Sequence, residues 1–330
     1  MDKIIWLNGI FIILLTLFLG KLGLPFLQRL HLGQTVRSDG PKTHFVKSGT
    51  PTFGGLFFLI PLAISALILP FFDRNWISYS LIIILMLLFG LIGFLDDYIK
   101  VRVDKEGLSV FQKTIGLTLI CILFAVWLLW FSDFEPFIYL PFVEKEVIIQ
   151  GNWKFVYLIF IILYLFFMSN AVNITDGLDG LASSLMTVSA ISLGVCIYFV
   201  YSIGKTMQPM IGACLALAAG SIGFLFYNHH PAKVFMGDTG SQALGAGFAG
   251  IALVVGMPWL MIIIGLIYIL EALSTLVQVV YFKLTSGKRL FKMAPLHHHF
   301  ELSGWAERKV VRNFVIAGIA CGILGILIVY

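Results

Sequence analysis

Apolar residues run along this chain in long unbroken blocks, not at alternate positions and not in narrow helical stripes. The blocks fall at roughly 4–24, 53–72, 76–95, 114–131, 153–169, 180–201, 208–227, 240–256, 258–282 and 311–330. A run of about 20 apolar residues matches the hydrocarbon thickness of a bilayer. In lipid a helix satisfies its own backbone groups, which an open segment cannot do. The pattern therefore predicts an all-α polytopic membrane protein, with ten transmembrane helices in one integral domain covering 1–330. One segment breaks the pattern. Residues 132–152 (SDFEPFIYLPFVEKEVIIQGN) alternate acidic with apolar side chains and predict a small external hairpin. The first block lacks a small-residue cleavage site behind it and is expected to be a retained anchor, not a removed signal peptide.

Composition removes the soluble alternatives. The 330 residues are 59% hydrophobic and 12% charged, whereas soluble domains carry about 25% charged residues. A soluble enzyme and a nucleic-acid-binding domain are both excluded. Cys121, Cys196, Cys214 and Cys321 sit in apolar stretches without CxxC spacing and are expected to act as small buried hydrophobes. The net charge of +5 matters through its distribution. Of 22 Lys and Arg, 17 fall in the segments between spans 1–2, 3–4, 5–6, 7–8 and 9–10; Lys3, Arg74, Lys145, Lys154 and Lys205 are the others. The positive-inside rule puts the first set in the cytoplasm and both termini outside.

The residues with chemistry crowd the cytoplasmic set. Asp96-Asp97 ends span 3, at the unfavourable end of the helix dipole. The pair is either a solvated helix end, with Lys100 and Arg102 as partners, or a cation site or acid/base pair. Neighbours on a helix point about 100° apart, so their mutants should differ. Asn170 to Gly180 (NAVNITDGLDG) joins spans 5 and 6. Its Asn173, Thr175, Asp176 and Asp179 offer hard oxygens, and Gly177 and Gly180 allow tight turns and close backbone approach. Asn228 to Ser241 (NHHPAKVFMGDTGS) leads into span 8, where helix-start N–H groups favour an anion. Asp238 there is either a helix cap or a Mg²⁺ ligand, and Phe235 either packs in the interior or stacks on a planar base.

Two more segments complete the set. In PLHHHFE, the adjacent His297, His298 and His299 cannot converge on one ion without a special loop, so phosphate contact fits them better than zinc. The first loop, from Arg37 through His44 and Lys47 to Gly55, combines Gly, Pro, Thr and Lys as a phosphate-contacting loop does; a basic loop beside anionic lipid has the same composition. Span 9 carries Glu271 and Gln278 on one face, with Ser274 and Thr275 nearby; that stripe is expected to face the bundle interior, either to bind substrate or to bond to neighbouring helices. Together these point to Mg²⁺-dependent phosphoryl transfer, with one substrate from water and one from the bilayer. A transporter of a nucleotide-linked or phosphorylated sugar is the alternative. It is disfavoured by the single mid-span charge, Glu271, and by the absence of an inverted internal repeat.

LDDYIK, KSGTPTFGG, NAVNITDGLDGLA, VFMGDTGS and PLHHHFELSGW closely resemble the phospho-N-acetylmuramoyl-pentapeptide transferase family, within the polyprenyl-phosphate N-acetylhexosamine-1-phosphate transferases. The resemblance runs from about residue 20 to the C-terminus and keeps the spacing of every block. It implies ten spans, a homodimer, Mg²⁺, and a bacterial inner-membrane location with the active site at the cytoplasmic face. It also implies transfer of phospho-MurNAc-pentapeptide from UDP-MurNAc-pentapeptide to undecaprenyl phosphate, giving lipid I and UMP in peptidoglycan synthesis. By matching position, it implies that Asp96, Asp97, Asp238 and His297 are catalytic and that Asp238 and Asp176 are metal ligands. Lys47, Lys113, Asn173, Asp176, Asp179, Asn228, Phe235, Gln278, His298 and His299 are implied as substrate contacts, Phe235 against uracil. Two positions depart from the family pattern. Leu117 stands where a Gln is usual, and Ala306-Glu307-Arg308 follow Gly304-Trp305 where prolines are usual.

Overall fold

The computed structural model describes residues 3–30, 47, 49–132, 135–201 and 207–330. Of the first loop, residues 37–46 with His44 lie outside the described residues, as does Lys205; Lys47 lies within them. In chain order the elements are α1 (Lys3–Arg29), α2 (Leu56–Phe72), α3 (Ile77–Arg102), α4 (Val110–Val126), β1 (Phe137–Leu140), β2 (Lys145–Ile148), α5 (Trp153–Thr175), α6 (Leu181–Val200), α7 (Gln208–Asn228), α8 (Gly237–Val254), α9 (Met261–Ile264), α10 (Leu266–Leu284), α11 (Leu296–Glu301) and α12 (Glu307–Val329).

Every apolar block is helical, but the blocks are not equivalent. Among the described residues, eight helices are long and apolar enough to cross a membrane: α1, α3, α4 with its π-helical extension, α5, α6, α7, α10 and α12. This makes the chain a multi-pass membrane protein. The other two of the ten expected spans correspond to α2 and α8, which have 17 and 18 residues and fall outside that set. α8 differs because its first turns carry Asp238, Thr239, Ser241 and Gln242, and because every residue from Thr239 to Val254 is buried by protein. It packs mainly on α3 and α5. Its Gly and Ala residues let those neighbours come close, the usual basis of helix association where lipid offers no hydrophobic gain. Lipid-side apolar residues lie on the surrounding helices, such as Leu67 and Phe71 of α2, 72% and 90% exposed. The ninth block also splits: Pro258 opens a single turn, α9 stops at Gly265, and α10 starts afresh.

Polar side chains tie the bundle together inside. Tyr79 of α3 meets the Ser65 hydroxyl at 2.6 Å and accepts from Asn8 of α1 at 3.3 Å, linking three helices. Gln242 of α8 accepts from Ser169 of α5. In a membrane interior such groups must find partners within the protein.

The predicted hairpin is present, antiparallel, with Phe137 opposite Ile148 and Leu140 opposite Lys145. It lies over the C-terminal end of α8. Tyr139 donates its N–H to the Gly256 carbonyl (2.8 Å), and the Trp259 indole donates to the Tyr139 carbonyl (2.7 Å). The start of α1 and the end of α12 are at this same end. Ile5 lies beside Trp76 at the head of α3, and Tyr330 packs on Phe199 at the end of α6. The opposite end of the bundle gathers the ends of α3 and α5 with the starts of α4, α6, α8 and α12, and the polar residues meet there.

Candidate functional site

The two adjacent aspartates of α3 take different partners, as their angular offset requires. Asp97, 3% exposed, turns to the start of α8. It accepts from the N–H groups of Asp238 (3.1 Å) and Thr239 (2.9 Å) and from the Thr239 hydroxyl (2.7 Å). The anion that the helix start attracts is thus the protein's own carboxylate. Gly237 permits this approach: its φ is +72°, and a Cβ there would overlap the Asp97 carboxylate.

Asp96 faces the other way. It accepts from the Leu108 N–H (2.7 Å), from Lys100 one turn along (2.8 Å), and from Lys113 (3.1 Å). Lys113 is delivered by a capping box: the Ser109 hydroxyl accepts from the Gln112 N–H, and the Gln112 side chain accepts from the Ser109 N–H. α4 therefore starts in a fixed place, one turn before the lysine. Leu117, at the position where the family has Gln, is buried and apolar.

Both lysines also reach Asp238. Lys100 donates to its Oδ2 at 3.0 Å and Lys113 makes a closer contact with the same oxygen. Asn173 donates to Asp238 Oδ1 and to the Ser241 hydroxyl, each at 2.8 Å. Asp96, Asp97, Asp238, Asn173 and Lys113, expected to converge from four separate segments, therefore form one contiguous network.

The turn between α5 and α6 contributes two unlike acids. Asp176 follows the last residue of α5, and its carboxylate has no hydrogen-bond or ion-pair partner among the described residues. Burial and the negative charges of Asp238, Asp97 and Asp179 hold its pKa well above the usual carboxylate range. Asp179 is fully engaged. It accepts from Lys47 (2.7 Å), from His230 (3.0 Å) and from the Ala232 N–H (3.0 Å). Glu307, in the first turn of α12, accepts from Lys47 (2.6 Å) and from the Asp179 N–H (2.8 Å). Asn228 braces this turn from behind. Its oxygen accepts from the Gly180 N–H and the Ser183 hydroxyl, and its amide donates to the Val234 carbonyl. Phe235 is half-buried beside it, its backbone pinned to Pro51 and Gly54.

The three histidines separate. His297 is 1% exposed and pairs with Glu271. His298 pairs with Glu301 (2.9 Å), and His299 accepts from the Lys292 N–H (3.1 Å). They do not converge on one point. Gln278 accepts from the N–H groups of Leu290 (3.1 Å) and Phe291 (2.9 Å), fastening the basic loop to α10.

Comparison with known proteins decides what kind of site this is. The model of a family described as glycosyl transferase family 4 matches residues 79–256, which include Asp96, Asp97, Asp176, Asp179 and Asp238. Proteins named phospho-N-acetylmuramoyl-pentapeptide-transferase from Listeria innocua, Acetivibrio thermocellus and Desulforamulus reducens are 43%, 46% and 42% identical to the chain, over 93%, 94% and 98% of it and 92%, 91% and 95% of their own lengths. The chain belongs to the phospho-N-acetylmuramoyl-pentapeptide-transferase family. It is an enzyme, a membrane-embedded phosphotransferase, and the resemblance drawn from its motifs is borne out.

Within a transferase of this family, the donor set suits a hard cation. Asp176 and Asp238 offer carboxylate oxygens, Asp176 has no side-chain partner among the described residues, and Asp238 already carries two ammonium contacts. A second group, Asp179, His230 and Glu307, brings one ligand atom from each within 4.8 Å. There Lys47 lies on both carboxylates and supplies the positive charge.

Three residues in these networks were not singled out by the motifs. Lys100 carried a signal, its i,i+4 spacing from Asp96. His230 and Glu307 lay within segments already noted, but nothing in them pointed to Asp179, which is 51 and 128 residues away.

Proposed function

We propose that the chain transfers phospho-MurNAc-pentapeptide from UDP-MurNAc-pentapeptide to undecaprenyl phosphate, with Mg²⁺, releasing UMP and forming lipid I at the cytoplasmic face of the inner membrane. The observation that carries this reading is the single network of Asp96, Asp97, Asp238, Asn173, Lys100 and Lys113 at one end of a helical bundle, in a chain of this family. The orientation is supported by the 17 of 22 basic residues that the alternation of spans assigns to the same side.

The exchange of one pyrophosphate bond for another needs no ATP. An oxygen of the lipid phosphate attacks the sugar-side phosphorus. The bond from that phosphorus to the bridging oxygen breaks, and that oxygen leaves as part of UMP. The obstacle is bringing two anions together, since unit charges 4 Å apart repel by about 4 kcal/mol at an effective dielectric of 20. Lys100 and Lys113 place two positive charges at that point, already aimed by Asp96. Asp238 and Asp176 would hold Mg²⁺, which supplies further neutralisation of the phosphate oxygens. Asn173 and Asp97 fix Asp238 from its side chain and its backbone. A phosphate monoester has its second pKa near 6, so the lipid phosphate is largely dianionic at neutral pH and attacks without a dedicated base. Asp179, Lys47 and Phe235 are the groups assigned to the nucleotide.

The test is purified protein in nanodiscs with UDP-MurNAc-pentapeptide, undecaprenyl phosphate and Mg²⁺, followed by UMP release. UMP formation that EDTA abolishes and added Mg²⁺ restores is the expected result. Absence of UMP with both substrates present overturns the assignment. Retention of configuration at a chiral phosphorus would overturn the single displacement.

A further inference from the structure

Glu271 lies in the second turn of α10, 0% exposed, with no lysine or arginine within ion-pair distance among the described residues. Both of its carboxylate oxygens go to one residue on another element. Oε1 accepts from the His297 N–H at 3.1 Å, and Oε2 meets the His297 Nδ1 at 3.0 Å. A carboxylate can only accept, so Nδ1 carries the ring proton. The other ring nitrogen, Nε2, is fully buried and has no hydrogen-bond partner among the described residues. It points at Gly177, next to the unpartnered Asp176, and a Cβ at Gly177 would overlap it. No positive φ requires glycine at 177, so its lack of a side chain serves this close approach.

Pairing offsets the cost of burying the Glu271 carboxylate and the His297 ring, but the orphaned Nε2 remains costly until something reaches it. We infer that Glu271 is a positioning residue for the transfer: it locks His297 so that Nε2, not Nδ1, is presented at the Asp176–Gly177 turn to a phosphate oxygen of the incoming sugar nucleotide. The inference rests on the proposed reaction. A ring that donates from Nδ1 to a carboxylate can hold a second proton on Nε2 against an anion, because the carboxylate balances the charge. Glu271 thus acts through His297 and touches no substrate itself.

Glu271→Gln tests it. The amide places an NH₂ against one of the two His297 donors, so either the ring proton moves to Nε2 or the backbone contact is lost. With UDP-MurNAc-pentapeptide and undecaprenyl phosphate, kcat is expected to fall by about 100-fold, as for loss of a positioned acid–base group, with KM for the nucleotide unchanged. His297→Ala should fall as far, and the double variant E271Q/H297A no further, because residues acting as a unit are not additive. Glu271→Asp, which keeps the charge, should recover part of the loss. A double variant whose loss is the product of the two single losses would overturn the proposal. A second readout uses no activity: ¹⁵N-histidine NMR of the wild-type protein should show Nδ1 protonated, and a neutral ring with its proton on Nε2 overturns the orientation. That measurement decides the ring geometry even if E271Q does not fold, or if no UMP is ever released and the proposed reaction falls.

Discussion

Replacing Asp97 with Asn removes one charge and almost no volume, yet three donors from the start of α8 converge on this carboxylate. Asn offers one oxygen in place of two. Whichever way the amide is turned, an NH₂ faces a backbone N–H of Asp238 or Thr239. Hydrogen bonds to charged groups contribute about 1.5–3 kcal/mol each, and leaving a buried donor unsatisfied costs about 1–3 kcal/mol. A net loss of about 3 kcal/mol follows, enough to lower Tm by about 5 °C in a large domain. The start of α8 would also shift, and Asp238 with it. Asp97→Asn should therefore lose activity through misplacement of Asp238, with a raised Mg²⁺ midpoint in the UMP-release assay and a lowered Tm by scanning fluorimetry. If Asp97 served only as a general base, activity would fall sharply while Tm and the Mg²⁺ midpoint of the residual activity stayed at wild-type values. That outcome would refute the bracing role derived from the three hydrogen bonds.

Three further outcomes are expected. Asp176 has its folded pKa raised, so the native state binds the proton that the unfolded chain releases. Stability in EDTA should fall as pH rises above the ordinary carboxylate range; in Asp176→Asn that part of the slope should vanish in Tm measured from pH 5 to pH 8, and an unchanged slope would count against the burial described. Glu307→Gln weakens the hold on Lys47 and on the Asp179 backbone, so KM for the nucleotide sugar should rise several-fold with kcat little altered, as initial-rate kinetics will show; a fall confined to kcat would place Glu307 elsewhere in the mechanism. Gln278→Ala removes two backbone hydrogen bonds from the loop that carries Lys288, Arg289 and Lys292. With about 1–2 kcal/mol lost in all, trypsin should cut there roughly 5–30 times faster, and an unchanged rate would mean the loop is held by other contacts.

The hydrophobic blocks foretold the helices well because each had to satisfy its backbone alone. They could not distinguish lipid from protein as surroundings. α8 is as apolar in its second half as its neighbours, yet it is enclosed on all sides. Nor did apolarity register the break at Gly265, since both α9 and α10 are hydrophobic. At the site, the motifs identified Asp96, Asp97, Asp238 and Asn173 but not what each holds. Asp97 grips a backbone and Asp96 grips two lysines, a division that depends on helix rotation and on which neighbour lies across the groove. Glu307 stood out in the sequence only as part of an unusual segment. Its contact with Lys47 spans 260 positions, a distance over which local pattern carries no information.

Enclosure of α8 has a mechanical consequence. Hydrocarbon thickness and lateral pressure act directly on helices that face lipid, and they reach Asp238 only through side chains already interlocked with α3 and α5. The depth of the acid is then a property of the polypeptide's own packing. Under the proposed reaction, a thicker or thinner bilayer would change how the lipid substrate approaches Asp238, while Asp238 itself stays where the protein holds it.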